Sequence, residues 1–151
     1  MRVILQRVAQ ASVSVDGVEI ATIGYGLLVL LAVTHEDEQK DADWLIKKII
    51  QLRIFSDDEG KMNLSVQDVK GDLLVVSQFT LYANYKKGNR PSYAASAPPA
   101  VAIPLYDYFV ENLKQMYQEG AVRCGVFGAD MKVSLLNDGP VTIIMDSRQP
   151  E

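Results

Sequence analysis

The sequence predicts an α+β protein, a largely antiparallel sheet or open β-barrel carrying two main helices. Three observations lead there. Short runs with period-two alternation or unbroken apolar character recur along the 151 residues, and each reads as a strand. Turn dipeptides such as Asp16-Gly17 join several of them at hairpin spacing. Only two stretches carry the 3.6-residue period of an amphipathic helix. Strands in hairpin succession with few helices favour antiparallel pairing. The length suits one domain, residues 1–151, with a tail from about residue 147.

Taken in order, Val3, Ile4 and Leu5 open a strand, and "SVSVD" continues with clean alternation to the turn at Asp16-Gly17. Val18 to Ala21 return, and Gly24 and Gly26 punctuate the chain before the buried run "GLLVLLAV". Ala42, Leu45, Ile46, Ile49 and Ile50 then share one helical face, with Asp37 as the expected N-cap and Glu38 in the first turn. "FSDDEGKMN" is a turn around Gly60. Its Asp57, Asp58 and Glu59 do not have calcium-loop spacing and read as a solvated acidic turn. Gly71-Asp72 precede a third buried strand, "LLVVSQFTLYA", and a Gly/Pro/Ser-rich loop follows. Pro98 and Pro99 suit a helix start. Leu105, Phe109, Leu113 and Met116 are expected on its buried face and Gly120 at its end. Pro104 requires that this helix either begin at Ile103 or bend. "VRCGVFGA", "MKVSLLN" and "VTIIMD" are expected as three further strands, with Gly139-Pro140 at the hairpin tip joining the last two.

Composition narrows the function. With 48% hydrophobic and 23% charged residues, the chain has what an ordinary core needs. The lone Cys124 excludes an internal disulfide and a multi-cysteine zinc site, so neither metal nor cofactor is expected. The apolar run after Met1 is too short for a signal-peptide core, and no run reaches the ~20 residues of a membrane span. The expectation is a cytoplasmic protein with no membrane partner. A net charge of −4 gives no global attraction to nucleic acid, so an RNA partner needs a local basic patch. The one histidine, His35, has no sequence link to a serine or to Cys124, which argues against a histidine-based nucleophile. "GYG" at Gly24–Gly26 lacks a third glycine and reads as a turn, not a phosphate loop.

Two motifs remain. In "SQFT", Ser77, Gln78 and Thr80 put three polar side chains at the end of an apolar run. One reading gives Ser77 and Thr80 to opposite faces of a strand, one of them solvated. The other ends the strand at a pocket, where hydroxyls, the Gln78 amide and free backbone N–H groups hold a carbonyl oxygen without a titrating group. "NDGPV" is compatible with an ordinary hairpin. It also places a residue without a side chain beside one without an N–H, across the one peptide link that adopts cis at modest cost. Two bare carbonyls side by side would accept an ammonium and leave no room for a side chain.

With "QRV", "ASVSVDG", "RIFSDDEGKMN", "VVSQFTLYA", "GNRPSY", "LYDYFVE" and "FGADMKVSLLNDGPVT", the chain resembles the D-aminoacyl-tRNA deacylases over nearly its whole length. "SQFT" and "NDGPV", in that order and about 60 residues apart, are the specific signature. The resemblance implies the fold of that family and a homodimer whose Gly139-Pro140 reaches into the partner's pocket. The bond would be cis and act as a chiral filter. Ser77, Gln78, Phe79 and Thr80 would receive the 3′-terminal adenosine and the ester. Arg7 would orient the Gly-Pro carbonyls, Met131 would floor the pocket, and Asn137 would belong to the same substrate-binding group. Lys86, Lys87 and Arg90, in the loop after the strand, would meet tRNA phosphates. The departures from the family pattern are Pro104, the "YANYKK" wording and the tail "SRQPE".

An aminoacyl ester is already activated, and the adenosine's 2′-hydroxyl can assist its hydrolysis. Positioning then supplies much of the rate. An L side chain would meet the Gly-Pro carbonyls and a D side chain would not, while glycine, including glycine mischarged on tRNA-Ala, would pass. Two other classes stay open: a sibling deacylase with a trans Gly-Pro acting on a mischarged L-amino acid, and a non-enzymatic nucleic-acid-binding module, which the charge disfavours.

Overall fold

In the computed structural model, which describes residues 1–150, the strand β1 (Arg2–Val15) organises the sheet. Along one edge it pairs antiparallel with β8 (Met131–Asp146). Along the other it pairs antiparallel first with β3 (Gly26–Ala32) and then with β2 (Val18–Ile23). Two further neighbours are parallel: β3 with β6 (Asp72–Ser77), and β6 with β7 (Val122–Cys124). The sheet is therefore mixed, and β2 approaches β6 and β7 as it curls toward closure. Parallel neighbours need crossovers. One runs through α1 (Gln39–Gln51) and the small hairpin β4 (Phe55–Ser56) and β5 (Met62–Leu64), the other through α2 (Pro99–Met116).

Alternation in β3 and β6 divides the core in two. Leu27, Val29, Leu31, Leu73 and Val75 face the helices and pack with Leu45, Ile46, Ile49, Phe109 and Leu113. Leu28, Leu74 and Val76 face the inside of the curved sheet, against Val8, Val13 and Ile23. Truncating one of the leucines or isoleucines among these to alanine would cost about 2–5 kcal/mol. The first turn is as its dipeptide predicts. Asp16 and Gly17 have φ of 50° and 79°, and two positive angles define the hairpin turn whose twist matches the strands.

Four local expectations are corrected. Asp37 is not the N-cap of α1. Glu38 is, in a capping box with Asp41, because the Asp37 carboxylate is taken by the Met1 α-ammonium (2.5 Å), the Thr34 N–H (2.8 Å) and Arg148. Helix α2 begins at Pro99 and keeps Pro104 inside it. Its buried side carries Ala102, Tyr106, Phe109, Val110 and Leu113, whereas Met116 is exposed. The helix stops there, and Tyr117 turns inward in its place to donate to the carbonyls of Val66 and Gly71. Strand β7 is only three residues long, and Gly125 to Asp130 form a turn before β8.

The fourth correction concerns Gly139-Pro140, which is not a hairpin tip. β8 runs through it as one strand, but the register steps from Gln6↔Thr142 to Val8↔Asn137, two residues of β1 against five of β8. Asp138 to Val141 bulge out of the ladder opposite Arg7. A bulge is the device that re-aims part of a strand without ending it.

Candidate functional site

Strand β6 ends at Ser77. Gln78 leaves extended geometry (φ −144°, ψ 74°), and Phe79–Tyr82 form one turn of 3-10 helix. "SQFT" is thus a strand end and not a strand, so Thr80 belongs to neither sheet face. Where the chain turns away a cleft of about 600 Å³ opens. Ser77, Gln78 and Phe79 make its polar wall, and Leu31, Val33, Val76 and Ala102 line it with hydrocarbon. Met131, Phe127, Tyr106, Tyr93 and Ser96 complete it. The Tyr106 and Phe127 rings meet edge to face at 5.5 Å, as do Phe79 and Tyr93 at 5.2 Å. Flat aromatic and aliphatic walls with one polar side suit a planar ligand held at one end.

The chemistry on offer is that of hydrogen bonds. Among the described residues, the one carboxylate lining the cleft is Asp130, which is exposed and bonded to Lys132. His35 is exposed on the surface, with Nε2 2.9 Å from the Ala94 carbonyl. Tyr106 donates to the Val75 carbonyl (3.2 Å), and burial raises its hydroxyl pKa well above the ordinary tyrosine value, so it stays neutral. Thr80 does not line the cleft. Its hydroxyl accepts from the Gln78 amide at 2.5 Å and so fixes that side chain.

The bulge on β8 is held rigidly. Arg7 is buried, and its Nε donates to the Asp138 carbonyl (3.2 Å) and pairs with the Asp138 carboxylate (3.1 Å), while Nη1 donates to the Ile54 carbonyl (2.7 Å). The Asn137 amide closes the base, accepting from the Val141 N–H (3.0 Å) and donating to the Thr142 hydroxyl (3.1 Å). The Gly139–Pro140 peptide is cis, and both residues are exposed. Gly139 has φ 123°, and a Cβ there would lie 2.8 Å from Val141 Cγ2 and 2.9 Å from Arg7 Nη2, so only glycine fits.

Of the residues singled out from the sequence, Ser77, Gln78, Phe79 and Met131 come together in the cleft. Arg7, Asn137, Gly139 and Pro140 form a second group at the bulge and do not line the cleft of their own chain. Lys86, Lys87 and Arg90 are exposed in the loop that the Asn84–Ser92 bridge pinches off, and none has an ion-pair partner among the described residues. Sequence reasoning gave no role to Tyr93, Ser96, Tyr106 or Phe127. Tyr93, Tyr106 and Phe127 sit within "GNRPSY", "LYDYFVE" and "FGADMKVSLLNDGPVT", but only the fold brings the loop before α2, α2 itself and the turn after β7 to one cleft.

A half-closed mixed sheet with a polar-ended cleft at a strand terminus and a pinned glycine bulge offers hydrogen bonds and shape rather than titrating groups. Comparison with known proteins gives the chain its family. The pattern of the family described as D-Tyr-tRNA(Tyr) deacylase matches residues 4–146, and the chain belongs to that family. A D-aminoacyl-tRNA deacylase of Flavobacterium johnsoniae is 58% identical over the full length of both chains, and one of Bacteroides thetaiotaomicron is 50% identical over the same extent. Among solved structures, that of a c-Myc DNA Unwinding Element Binding Protein superposes with a TM-score of 0.91 at 42% identity, covering 97% of this chain and 98% of its own. Another, of a probable eukaryotic D-amino acid tRNA deacylase, superposes with a TM-score of 0.81 at 20% identity, covering 95% and 97%, and supports the fold.

Proposed function

We propose that the protein hydrolyses the ester of D-aminoacyl-tRNA, releasing the D-amino acid and intact tRNA. The observation that carries this reading is the division of the site. A cleft able to hold an adenosine and its ester lies at Ser77–Phe79, while Gly139-Pro140, pinned by Arg7, stands exposed and outside it. In a homodimer the bulge of one subunit reaches the cleft of the other. The exposed apolar residues of β8, Leu136 (58%) and Ile144 (68%), lie on either side of the bulge and supply surface that association would cover.

The steps follow from this arrangement. The adenine ring lies among Tyr106, Phe127 and Met131, and the ester carbonyl meets the polar wall where N–H groups open the 3-10 turn. The partner's Gly139 and Pro140 carbonyls accept the substrate ammonium, which directs a D side chain outward and an L side chain into the bulge. Water adds to the carbonyl carbon, the bond to the ribose oxygen breaks, and the neighbouring hydroxyl of the ribose assists. Thr80 holds Gln78 and forms no acyl-enzyme, since no base stands beside it. Glycyl-tRNA, including glycine on tRNA-Ala, has no side chain to reject and is cleaved. The reaction needs no cofactor, and Lys86, Lys87 and Arg90 meet acceptor-stem phosphates.

Parallel incubation with D-Tyr-tRNA and L-Tyr-tRNA tests the reading, with release of D-tyrosine alone expected. Preferential release of L-tyrosine would assign the chain to a sibling activity. A second reading, nucleic-acid binding without catalysis, takes its support from the 42%-identical relative, whose name makes it a binder of a DNA unwinding element. Tight duplex-DNA binding with no deacylation of either tRNA would favour it, although the net charge of −4 does not.

A further inference from the structure

The single turn Phe79–Tyr82 is too short to hold its own shape, since a 3-10 turn of this length closes few internal hydrogen bonds. Its carbonyls are held from outside. On one side the Ser96 hydroxyl, on the loop before α2, donates to the Phe79 carbonyl at 2.7 Å. On the other, Arg2 Nη1, at the first residue of β1, donates to the Leu81 carbonyl at 2.9 Å. Arg2 is itself fixed. Its Nε donates to Asp146 Oδ2 at 3.0 Å, its Nη2 lies 2.9 Å from the same oxygen, and its Cζ stands 4.8 Å from the centroid of the Tyr82 ring. Asp146, the last residue of β8, also takes the Arg148 N–H at 3.0 Å.

We propose that Arg2 and Ser96 are positioning residues that clamp the Phe79–Tyr82 turn in its working geometry, one from behind the sheet end and one across the cleft. The proposal rests on the reading above, in which this turn receives the ester. A guanidinium can serve the Asp146 carboxylate and the Leu81 carbonyl and stack on Tyr82 at once, because its donors lie in a plane. An ammonium cannot do all three. Ser96 acts through a hydroxyl alone, so a threonine in its place retains the bond. Release of either carbonyl lets the turn relax and displaces Gln78, Phe79 and the N–H groups beside them. The adenosine and amino-acid contacts elsewhere in the site persist, so the loss falls on turnover and not on binding.

The full chain is assayed on D-Tyr-tRNA as wild type, Ser96→Ala, Ser96→Thr, Arg2→Lys and Asp146→Asn, with Tm recorded for each. Ser96→Ala and Arg2→Lys are expected to lower kcat about tenfold with KM within about twofold. Ser96→Thr should restore kcat, and Asp146→Asn should lower it in the same sense as Arg2→Lys. In the absence of substrate, amide exchange at Leu81 and Ala83, whose N–H groups donate to the Gln78 and Thr80 carbonyls, should quicken in the two clamp variants and not in Ser96→Thr. Unchanged kcat and exchange in Ser96→Ala and Arg2→Lys would overturn the proposal, as would losses that follow Tm and leave Ser96→Thr unrestored. An inactive wild type would overturn the reading of the reaction instead, and the exchange measurement would still decide whether the clamp exists.

Discussion

Single residues divide sharply between those whose shape matters and those whose chemistry matters. Gly139 is of the first kind. An alanine Cβ would press on Val141 and on the Arg7 guanidinium, at a φ of 123° that L residues rarely adopt. Gly139→Ala should therefore displace the bulge by a sizeable fraction of an ångström and reduce D-Tyr-tRNA deacylation about 100-fold or more, the scale of loss that follows misplacement near 1 Å. Thr80→Ala removes one hydrogen bond to Gln78 and should leave activity within about tenfold of wild type, with no burst of product in rapid quench. The reverse ranking, or an acyl adduct on Thr80, would make the enzyme a covalent hydrolase. These positions stand out in the sequence because polar side chains at the end of an apolar run and a Gly-Pro pair after Asn-Asp both break local pattern, and such breaks are where a functional site is expected. Tyr93, Ser96, Tyr106 and Phe127 break no pattern. Their place in the cleft comes from the meeting of three separate segments, the loop before α2, α2 and the turn after β7, which no local period encodes.

Elements followed their periodicities, and the errors lay at their ends. "GLLVLLA" and "LLVV" are unbroken apolar runs because both faces of β3 and β6 are covered, the mark of parallel strands inside a crossover. The pairings of β1 with β2, β3 and β8 are antiparallel, as expected, and β3, β6 and β7 add the parallel part of the sheet. The start of α1 was misplaced by one residue because two acids compete there and a tertiary ion pair decides between them. That start also carries a pH dependence. Burial by itself would raise the Asp41 carboxyl. The Glu38 N–H, the Ser147 hydroxyl and the charges of the Met1 ammonium and Arg148 outweigh it and hold the group below the ordinary carboxylate value. A lowered folded pKa contributes stability that is present above the unfolded value, about 4, and is lost as pH falls through the folded value. Asp41→Asn should lower Tm at pH 7, by about 0.5–2 kcal/mol of stability, and flatten the acid limb of a Tm–pH curve. At the far end of α2 the sign reverses. Tyr117 is pushed up to about 12, chiefly by burial and further by Glu119 and Asp72, so its contribution is complete below about pH 10 and fades above it. In Tyr117→Phe the Tm should become less sensitive to pH in that alkaline range, at a cost of about 1–3 kcal/mol at neutral pH for the donor lost from the Val66 and Gly71 carbonyls.

At the scale of the whole molecule the cleft and the Gly139-Pro140 bulge lie apart in one chain, and the proposed dimer therefore predicts how activity should respond to mixing. The acidic chain also needs a local basic loop to meet tRNA. Reversing Lys86 and Lys87 to glutamate should weaken tRNA binding and make log K less steep in log salt by roughly 1.4 to 1.8, as for two phosphate contacts. An unchanged slope would place the contact elsewhere. The dimer prediction is sharper. Consider Ser77→Phe, which fills the cleft and leaves the bulge intact, and Gly139→Ala, which spoils the bulge and leaves the cleft intact. If cleft and bulge act within one chain, each subunit carries one defect and every mixture is inactive. If they act across a two-fold interface, a mixed dimer has one site with both defects and one with none. Random exchange makes about half of the dimers mixed, and each has one of two sites working, so about a quarter of wild-type activity should return. Each variant is first assayed alone and shown by sedimentation to be folded and dimeric. The two are then co-refolded in equal amounts and assayed on D-Tyr-tRNA. Recovery to that level requires the Gly139-Pro140 bulge to reach the partner's cleft, because no arrangement confined to one chain can produce it. Mixtures no more active than their parents, or a wild type that sediments as an active monomer, would return both halves of the site to a single subunit.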